Sequence, residues 1–390
     1  MPEAPEASRG PRPDVVVIGG GLIGLATAWR ATVRGLTVTV CDPTPGTSAS
    51  FAAAGMLTPI TELHYGEETL LGLNLASAAR YPSFVSDLAD ASGHDPGYRR
   101  CGTLAIAFDS DDRAVLADLL DYQNSFGLVS RWVTGSECRR LEPMLAPGIR
   151  GGLLVDADHQ IDNRMLLTAL LAAADRAGVA IVRQLVTEVA VTNGAATGVV
   201  LSDGTQIDTD QVVLAGGCWS GQIAGIPAEA LPPVRPIKGQ ILRLSVPESS
   251  RPFLIHNIRG VVRSNHAYLV PRAHGELVIG ATTEELGYDT TVTAGGVYEL
   301  LRDARALVPG ITELPLVESR AALRPGSPDN APMIGPTVLP GLIVATGHYR
   351  HGVLLTAATA DAVAHLLATG DVPEDIKVFS PQRFERLGKS

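Results

Sequence analysis

A glycine triplet near the start of the sequence has the spacing of a dinucleotide-binding loop. Gly19, Gly21 and Gly24 follow the β-branched run 14–18 and precede apolar residues at helical spacing, so they join a predicted strand to a predicted helix. In this motif the first glycine permits a tight turn, the second lets the backbone approach a pyrophosphate, and the third lets helix and strand pack closely. The phosphates lie at the helix N-terminus, where unpaired amides favour an anion. The loop therefore predicts a bound dinucleotide.

An acidic residue completes this β-α-β unit. The helical pattern ends at Gly35, Leu36 to Cys41 predicts a second strand, and Asp42 follows it. An acidic side chain at this point can accept the ribose hydroxyls and repels an additional 2′-phosphate, which disfavours NADP. The unit alone is compatible with both NAD and FAD.

A second glycine-containing strand end occurs later in the chain. Val186 to Ile207 alternates between apolar and polar residues, with turns at 193–194 and 203–204, and predicts a β-meander. Gln211 to Leu214 then predicts a strand that ends at Gly216, where a missing side chain lets the backbone approach a cofactor. A meander before such a strand is not expected in a simple NAD dehydrogenase.

Composition and charge favour a two-domain globular protein with a small-molecule partner. The 390 residues exceed the usual size of one hydrophobic core, and 45% of them are hydrophobic. The formal net charge of -10 disfavours nucleic acid and anionic membranes as partners. Residues 1–12 predict a disordered tail without a secretory signal. We therefore expect a cytoplasmic protein without a membrane anchor.

Metal and thiol chemistry are not expected. The sequence contains four cysteines that form no C-x-x-C pair: Cys41, Cys101, Cys138 and Cys218. His348 and His351 lack a third ligand at metal-binding spacing. No metal site is predicted.

Several strings together resemble the D-amino-acid-oxidase-like flavoproteins. They are GGGLIG at 19–24, SFAAAGMLTP at 50–59, AGGCWS at 215–220 and GHYRHGVLL at 347–355. Within that family the chain is most similar to the glycine oxidases of thiamine biosynthesis, through four further strings in the same order: AAAGML at 52–57, PIKGQILRL at 236–244, YLVPR at 268–272 and LRPGSPDNAPMIG at 323–335. The resemblance covers nearly the whole chain and implies FAD as the cofactor.

The resemblance implies an α/β plus α+β fold with two interleaved domains. A Rossmann-type FAD-binding domain would comprise 13–96, 150–230 and 325–375, and a substrate domain built on an antiparallel sheet would comprise 97–149 and 231–324. The residue pattern agrees, because it independently predicts strands at Ile241–Val246, Gly260–Arg263, Ala267–Val270 and Glu276–Ala281. It also predicts helices at Asp109–Phe126, Asp162–Ala177 and Gly352–Leu367.

Three residues are expected to bind the substrate. By resemblance, Arg324 matches the arginine that binds the substrate carboxylate, and Tyr268 matches a tyrosine that helps to hold it. A guanidinium suits this role because its planar fork pairs with both carboxylate oxygens. We also expect the residues after Arg324 to form an irregular backbone, because Pro325 and Gly326 follow it. Arg350 is a third candidate, either as a substrate contact or as a lid.

The resemblance also implies contacts to the cofactor. The helix after GHYRHG would direct its positive end at the flavin and favour the anionic reduced form. In sarcosine oxidase relatives a cysteine forms a thioether to the flavin; Ala322 occupies that position here, so the FAD is expected to be non-covalent. The expected contacts are Gly19, Gly21, Leu22, Ile23, Gly24, Asp42, Ser50, Ala54, Gly55, Met56, Val186, Gly216, Trp219, His348, Arg350, His351, Gly352, Val353 and Leu354.

The function implied is oxidation of glycine or another small amine by hydride transfer to FAD, with oxygen as the acceptor. The alternatives are a D-amino acid or sarcosine oxidase or dehydrogenase, and, in another class, a non-catalytic flavin- or NAD-binding regulatory module. Thr283 replaces a methionine found in a better-known branch, which leaves the width of the pocket open. We expect a homo-oligomer, such as a tetramer.

Overall fold

The computed structural model describes residues 12–263 and 265–384. The predicted tail 1–12 lies outside these residues except for Arg12. The helices are α1 (Leu22–Val33), α2 (Ala49–Ala52), α3 (Glu68–Ser92), α4 (Ser110–Ser125), α5 (Gly135–Leu141), α6 (Asn163–Arg176), α7 (Ala294–Leu307) and α8 (Thr356–Thr369). Single 3-10 turns precede α8 and follow several strands.

The strands form two large sheets and two small ones. They are β1 (Val15–Ile18), β2 (Val38–Cys41), β3 (Met56–Leu57), β4 (Tyr98–Arg99), β5 (Thr103–Ala107), β6 (Arg131–Val133), β7 (Gly151–Val155), β8 (His159–Ile161), β9 (Ala180–Val182), β10 (Val186–Thr192), β11 (Ala195–Leu201), β12 (Gln206–Asp208), β13 (Gln211–Leu214), β14 (Arg235–Ser245), β15 (Asn257–Val262), β16 (Asn265–Pro271), β17 (Glu276–Gly280), β18 (Leu316–Gly326), β19 (Met333–Pro336) and β20 (Leu342–Thr346).

The first large sheet has the strand order β19-β20-β13-β1-β2-β9. All its neighbours are parallel except β19 and β20. The central β1 is a run of four buried β-branched residues, as expected for a strand covered on both faces. Helices α1 and α8 pack against each other, and their buried apolar residues join the core of this sheet. The β-α-β unit and the strand 211–214 predicted from the sequence are confirmed.

The second large sheet has the order β18-β14-β17-β16-β15-β5-β7-β6. Its neighbouring strands are antiparallel except for β15 and β5, which are parallel. The expected antiparallel sheet is therefore present, with one parallel pair in it. The strand β7 belongs to this sheet, whereas the resemblance places residues 150–230 in the FAD-binding domain. Helix α7 covers one face, where Leu300, Ala304 and Leu307 pack against the strands. On the other face, α4 packs against β5 and β7, while residues of β14 and β16 line the cavity described below.

Two predicted helices have the expected ends, and one begins later. Asp109 and Asp162 accept amide hydrogen bonds from the first turns of α4 and α6, and so fix where these helices begin. The predicted helix Gly352–Leu367 begins later, because residues 352–355 form a turn after the 3-10 turn at Tyr349–His351 and α8 starts only at Thr356. The predicted meander is confirmed as β10-β11-β12. In the part of the chain described, no helix is long and apolar enough to cross a membrane.

Candidate active site

A cavity of about 600 Å³ lies between the two large sheets. The carboxyl ends of β1, β2 and β13 contribute Ile18, Cys41 and Ala215 to one side. The eight-stranded sheet contributes Ile241 and Tyr268, among others, to the opposite side. Ligands of open α/β sheets bind at the carboxyl ends of the strands, so the cavity is at the expected position.

The glycine loop forms the floor of one end of the cavity. A Cβ added to Gly19 would lie 2.4 Å from the Ala215 carbonyl oxygen, and Gly19 has φ +108, so a side chain is excluded there. A Cβ on Gly24 would lie 1.9 Å from the Gly19 oxygen, which explains the close contact of α1 with the loop. Gly21 lines the cavity at the N-terminus of α1 and offers no side chain to cap the helix. Amides at such an end favour a phosphate group.

Asp42 and Ser50 have protein partners in this region. The Asp42 carboxylate accepts hydrogen bonds from the Gly20 amide at 2.7 Å and the Thr44 amide at 2.8 Å. It still lines the cavity at the end of β2, so it can hold the loop and face a ribose. The Ser50 hydroxyl accepts a hydrogen bond from the Leu22 amide at 3.1 Å and lies beside the same loop.

The segment 53–56 forms the middle of the cavity and is held from behind by a buried arginine. Arg272 donates hydrogen bonds to the Ala54 carbonyl at 2.7 Å and to the Ile161 carbonyl at 3.0 Å. Gly55 has φ +69, and a Cβ there would lie 1.9 Å from the Ile161 oxygen. Because Arg272 directly follows β16, it connects the strand that carries Tyr268 to the segment predicted to contact the flavin.

Most predicted cofactor residues line this one cavity: Gly19, Gly21, Leu22, Ile23, Asp42, Ser50, Ala54, Gly55, Met56, Val186, Gly216, Trp219, His348, Arg350, Gly352 and Val353. Three do not. Gly24 packs against the loop from behind, while His351 and Leu354 are each 1% exposed and lie behind the cavity wall. His348 is neutral, since burial lowers its pKa to about 3, and its ring lies 3.0 Å from the Thr359 hydroxyl.

Arg324 and Tyr268 are brought together, and two glycines make room for them. A Cβ on Gly239 would lie 2.5 Å from both terminal nitrogens of Arg324, and a Cβ on Gly280 would lie 2.3 Å from the Tyr268 hydroxyl. Burial raises the pKa of Tyr268, so its hydroxyl remains a donor. Arg324 donates to the Thr282 carbonyl at 3.1 Å, and no carboxylate of the described residues pairs with it. Its charge is therefore available to an anion.

The backbone around Arg324 is regular, contrary to the expectation. Strand β18 continues through Pro325 to Gly326, and Arg324 pairs with Ile237 of β14. Proline is accepted here because β18 is an edge strand, where a missing amide hydrogen costs no ladder bond. The arginine is thus fixed by a sheet and not by a loop.

Arg350 lines the cavity but is engaged by the protein. Its guanidinium pairs with the Glu67 carboxylate, and Glu67 also accepts a hydrogen bond from Asn330 at 3.0 Å. Both side chains of the pair are largely buried. This arrangement suits a residue that closes the pocket better than one that takes the substrate carboxylate.

The sequence does not indicate four acidic, basic or histidine residues of the cavity: Glu62, His64, Arg259 and His266. Glu62 pairs with Arg259. Burial opposes the ionisation of Glu62, but the positive charges around it, led by Arg259, hold the pKa of its carboxyl at about 2. Burial and the guanidinium groups of Arg350 and Arg259 lower the pKa of His64 to about 4, so it is neutral near pH 7. No motif surrounds these residues, and only the fold brings them together.

The charges of this end of the cavity favour a monoanion. Three guanidinium groups, those of Arg259, Arg324 and Arg350, are opposed by the carboxylates of Glu62 and Glu67. One positive charge therefore remains, at Arg324. Within the described residues no cluster of histidines, cysteines or carboxylates could hold a metal ion.

Residues 14–366 match the family model described as "FAD dependent oxidoreductase". The chain belongs to this family. The family model and the glycine loop together establish FAD as its cofactor, and the glycine loop lines the cavity at the N-terminus of α1, where the phosphates of a dinucleotide bind in this motif.

Relatives of this FAD-dependent oxidoreductase include bifunctional proteins and proteins named glycine oxidase. It is 34% identical over 374 residues to a "Bifunctional protein ThiO/ThiG" of Synechocystis, covering 95% of this chain and 54% of that protein. It is 32% identical to a "Glycine oxidase" of Geobacillus kaustophilus, covering 97% of this chain and 98% of that protein. The crystal structure of glycine oxidase from Geobacillus kaustophilus superimposes with a TM-score of 0.87 at 31% identity, covering 95% and 99% of the two chains. The chain thus spans about half the length of its bifunctional relatives.

Proposed function

We propose that this oxidoreductase oxidises glycine and other small amines, such as sarcosine and small D-amino acids. When bound, FAD would supply the acceptor for a hydride from the α-carbon of the substrate, and its reoxidation by oxygen would yield hydrogen peroxide. Water hydrolyses the imine to glyoxylate and ammonia, or the imine is used in thiamine thiazole synthesis, as the resemblance implies. The alternative substrates are larger D-amino acids.

The observation that carries the proposal is the guanidinium of Arg324, which has no carboxylate partner among the described residues. It lies in the space above Gly239 and beside Tyr268, where its fork can pair with both oxygens of a carboxylate. A regulatory module that only binds a nucleotide has no need of this free charge. The assignment of Arg324 and Tyr268 to the substrate carboxylate is part of the proposal.

The charge count supports an amino acid that reacts with an unprotonated amine. Such a substrate carries one negative charge, which balances the single positive charge left at Arg324. Hydride transfer needs the amine lone pair, and the balanced charges leave no excess negative charge that would stabilise an ammonium group. The protein then supplies orientation. Arg324, whose position is fixed by strand β18, holds the substrate carboxylate, and Arg272 holds the segment 53–56.

The cofactor contacts are proposed for the predicted residues that line the cavity. The pyrophosphate would lie on the Gly19–Gly21 loop, the ribose near Asp42, and the flavin against Gly55 and Met56. A homo-oligomer and a cytoplasmic location remain proposals, and light scattering of the purified protein would measure the oligomeric state.

Peroxide production with a panel of substrates tests this function. Glycine, sarcosine, D-alanine, D-proline and D-phenylalanine are compared as kcat/KM at one pH. We expect glycine or sarcosine to lead, because steric overlap excludes large groups while a missing methylene costs only about 1 to 3 kcal/mol. A clear preference for D-phenylalanine would contradict the proposal, and no flavin reduction by any of them would favour a regulatory module.

A further inference from the structure

A buried ion pair forms the part of the cavity wall that neither the cofactor nor the substrate carboxylate uses. Arg259 of β15 lies directly opposite Tyr268 of β16, so the two side chains occupy neighbouring positions on one face of the hairpin. The Arg259 guanidinium pairs with Glu62, and the two side chains are only 16% and 11% exposed. Both residues line the cavity.

The loop that carries Glu62 is held firmly. The buried Asp158 carboxylate accepts hydrogen bonds from the amides of Ile60 at 3.1 Å and Thr61 at 2.8 Å, and Gln123 donates to the Ile60 carbonyl at 2.9 Å. Arg259 is fixed by its strand. The pair cannot withdraw from the cavity without breaking these contacts, so a substituent that reaches this wall must lie against charged groups.

A wall formed by an ion pair favours polar groups over apolar groups that contact it. The guanidinium of Arg259 makes one hydrogen bond within the described protein, to Glu62, and the residue lines the cavity. An apolar group placed there removes water from the pair and gives no hydrogen bond in return, which is costly. A hydroxyl group of the same size can accept from the guanidinium or donate to the carboxylate.

We propose that the Glu62–Arg259 pair is a specificity-determining wall that selects against apolar substituents on the α-carbon of the substrate and accepts a hydrogen atom or a short hydroxylated group. This inference rests on the proposed function, because it concerns the same pocket. Glu62 and Arg259 belong to no sequence motif. The selection between substrates then depends on the charge of these two side chains as well as on the size of the pocket.

The test on the wild-type holoenzyme uses two substrates of nearly equal size. D-Serine carries a hydroxymethyl group and D-2-aminobutyrate carries an ethyl group in its place. We expect kcat/KM for D-serine to exceed that for D-2-aminobutyrate by about tenfold or more, since buried polar groups discriminate strongly against a partner without a hydrogen bond. A ratio of one or below would overturn the inference. Failure of glycine to reduce the FAD would instead overturn the proposed function.

A double variant tests the two residues directly. Removing both charges with Glu62→Leu and Arg259→Leu avoids a single unpaired buried charge, and it should lower the D-serine to D-2-aminobutyrate ratio about tenfold while FAD stays bound. Arg259→Lys keeps the charge and should keep a ratio above one. Arg80→Leu with Asp375→Leu removes a pair that does not line the cavity, and it should leave the ratio unchanged. An unchanged ratio in the folded, FAD-loaded Leu/Leu variant would overturn the inference; if that variant loses FAD, the wild-type ratio decides.

Discussion

Replacing Gly239 with alanine should disturb substrate binding through Arg324 alone. The added Cβ would lie 2.5 Å from both terminal nitrogens of the guanidinium, well inside van der Waals contact. The guanidinium is the far end of a flexible side chain, so it can move by about 1 Å and spare the fold. Its fork would then no longer meet both carboxylate oxygens.

The expected loss follows from the energy of that contact. A charge-assisted pair in a buried site contributes roughly 1.5 to 3 kcal/mol, which corresponds to about 10- to 150-fold in affinity. Flavin absorbance during titration with acetate, which has the carboxylate but no amine, measures the Kd. Steady-state kinetics with glycine should show the same factor in KM, and the FAD content should not change.

Two control variants test whether Gly239→Ala acts through Arg324. Gly295→Ala, in an exposed turn of α7 where a Cβ meets nothing within 4 Å, should leave acetate and glycine binding unchanged. In an Arg324→Ala background, Gly239→Ala should add little, because the group it displaces is gone. If Gly239→Ala binds acetate like the wild type, or if its effect adds fully to that of Arg324→Ala, the role assigned to the glycine is wrong.

Three further predictions concern the cofactor, pH and the pocket width. Acid precipitation should release yellow FAD into the supernatant, because Ala322 offers no thiol; a yellow pellet would contradict this. The pKa of Glu62 is lowered to about 2, so the stability it provides over Glu62→Gln should be complete above pH about 4.5 and should shrink as pH falls towards 2 in thermal unfolding; an advantage that grows on acidification would contradict it. Thr283→Met should reduce activity on D-alanine relative to glycine in peroxide assays, and an unchanged ratio would place Thr283 away from the substituent.

The sequence was most informative where the function depends on neighbouring residues. The loop at Gly19 to Gly24 can be predicted because strand, glycines and helix are contiguous, although the atoms that exclude a side chain at Gly19 belong to the distant Ala215. The strand at 211–214 was also evident from its apolar run. Arg324 was found only through a resemblance, and the reason for its position, the space above Gly239, depends on the pairing of β14 with β18.

Contacts between distant parts of the chain could not be predicted in this way. Glu62 and Arg259 are 197 residues apart, and nothing in either neighbourhood indicates a pair. The resemblance assigns residues 150–230, and so β7, to the FAD-binding domain, and no residue pattern corrects this because periodicity does not say which sheet a strand joins. The predicted start of α8 is four residues too early, since the apolar residues 353–355 suit either a turn or the first turn of a helix.

The most direct test of the central claim is the absorbance spectrum of the purified enzyme before and after anaerobic addition of glycine. We expect glycine to bleach the flavin band of the wild type and oxygen to restore it. The Arg324→Ala variant should retain its FAD but need at least about tenfold more glycine for the same bleaching rate. No bleaching of a fully FAD-loaded wild type by glycine, or an Arg324→Ala variant that bleaches at the wild-type concentration, would contradict it.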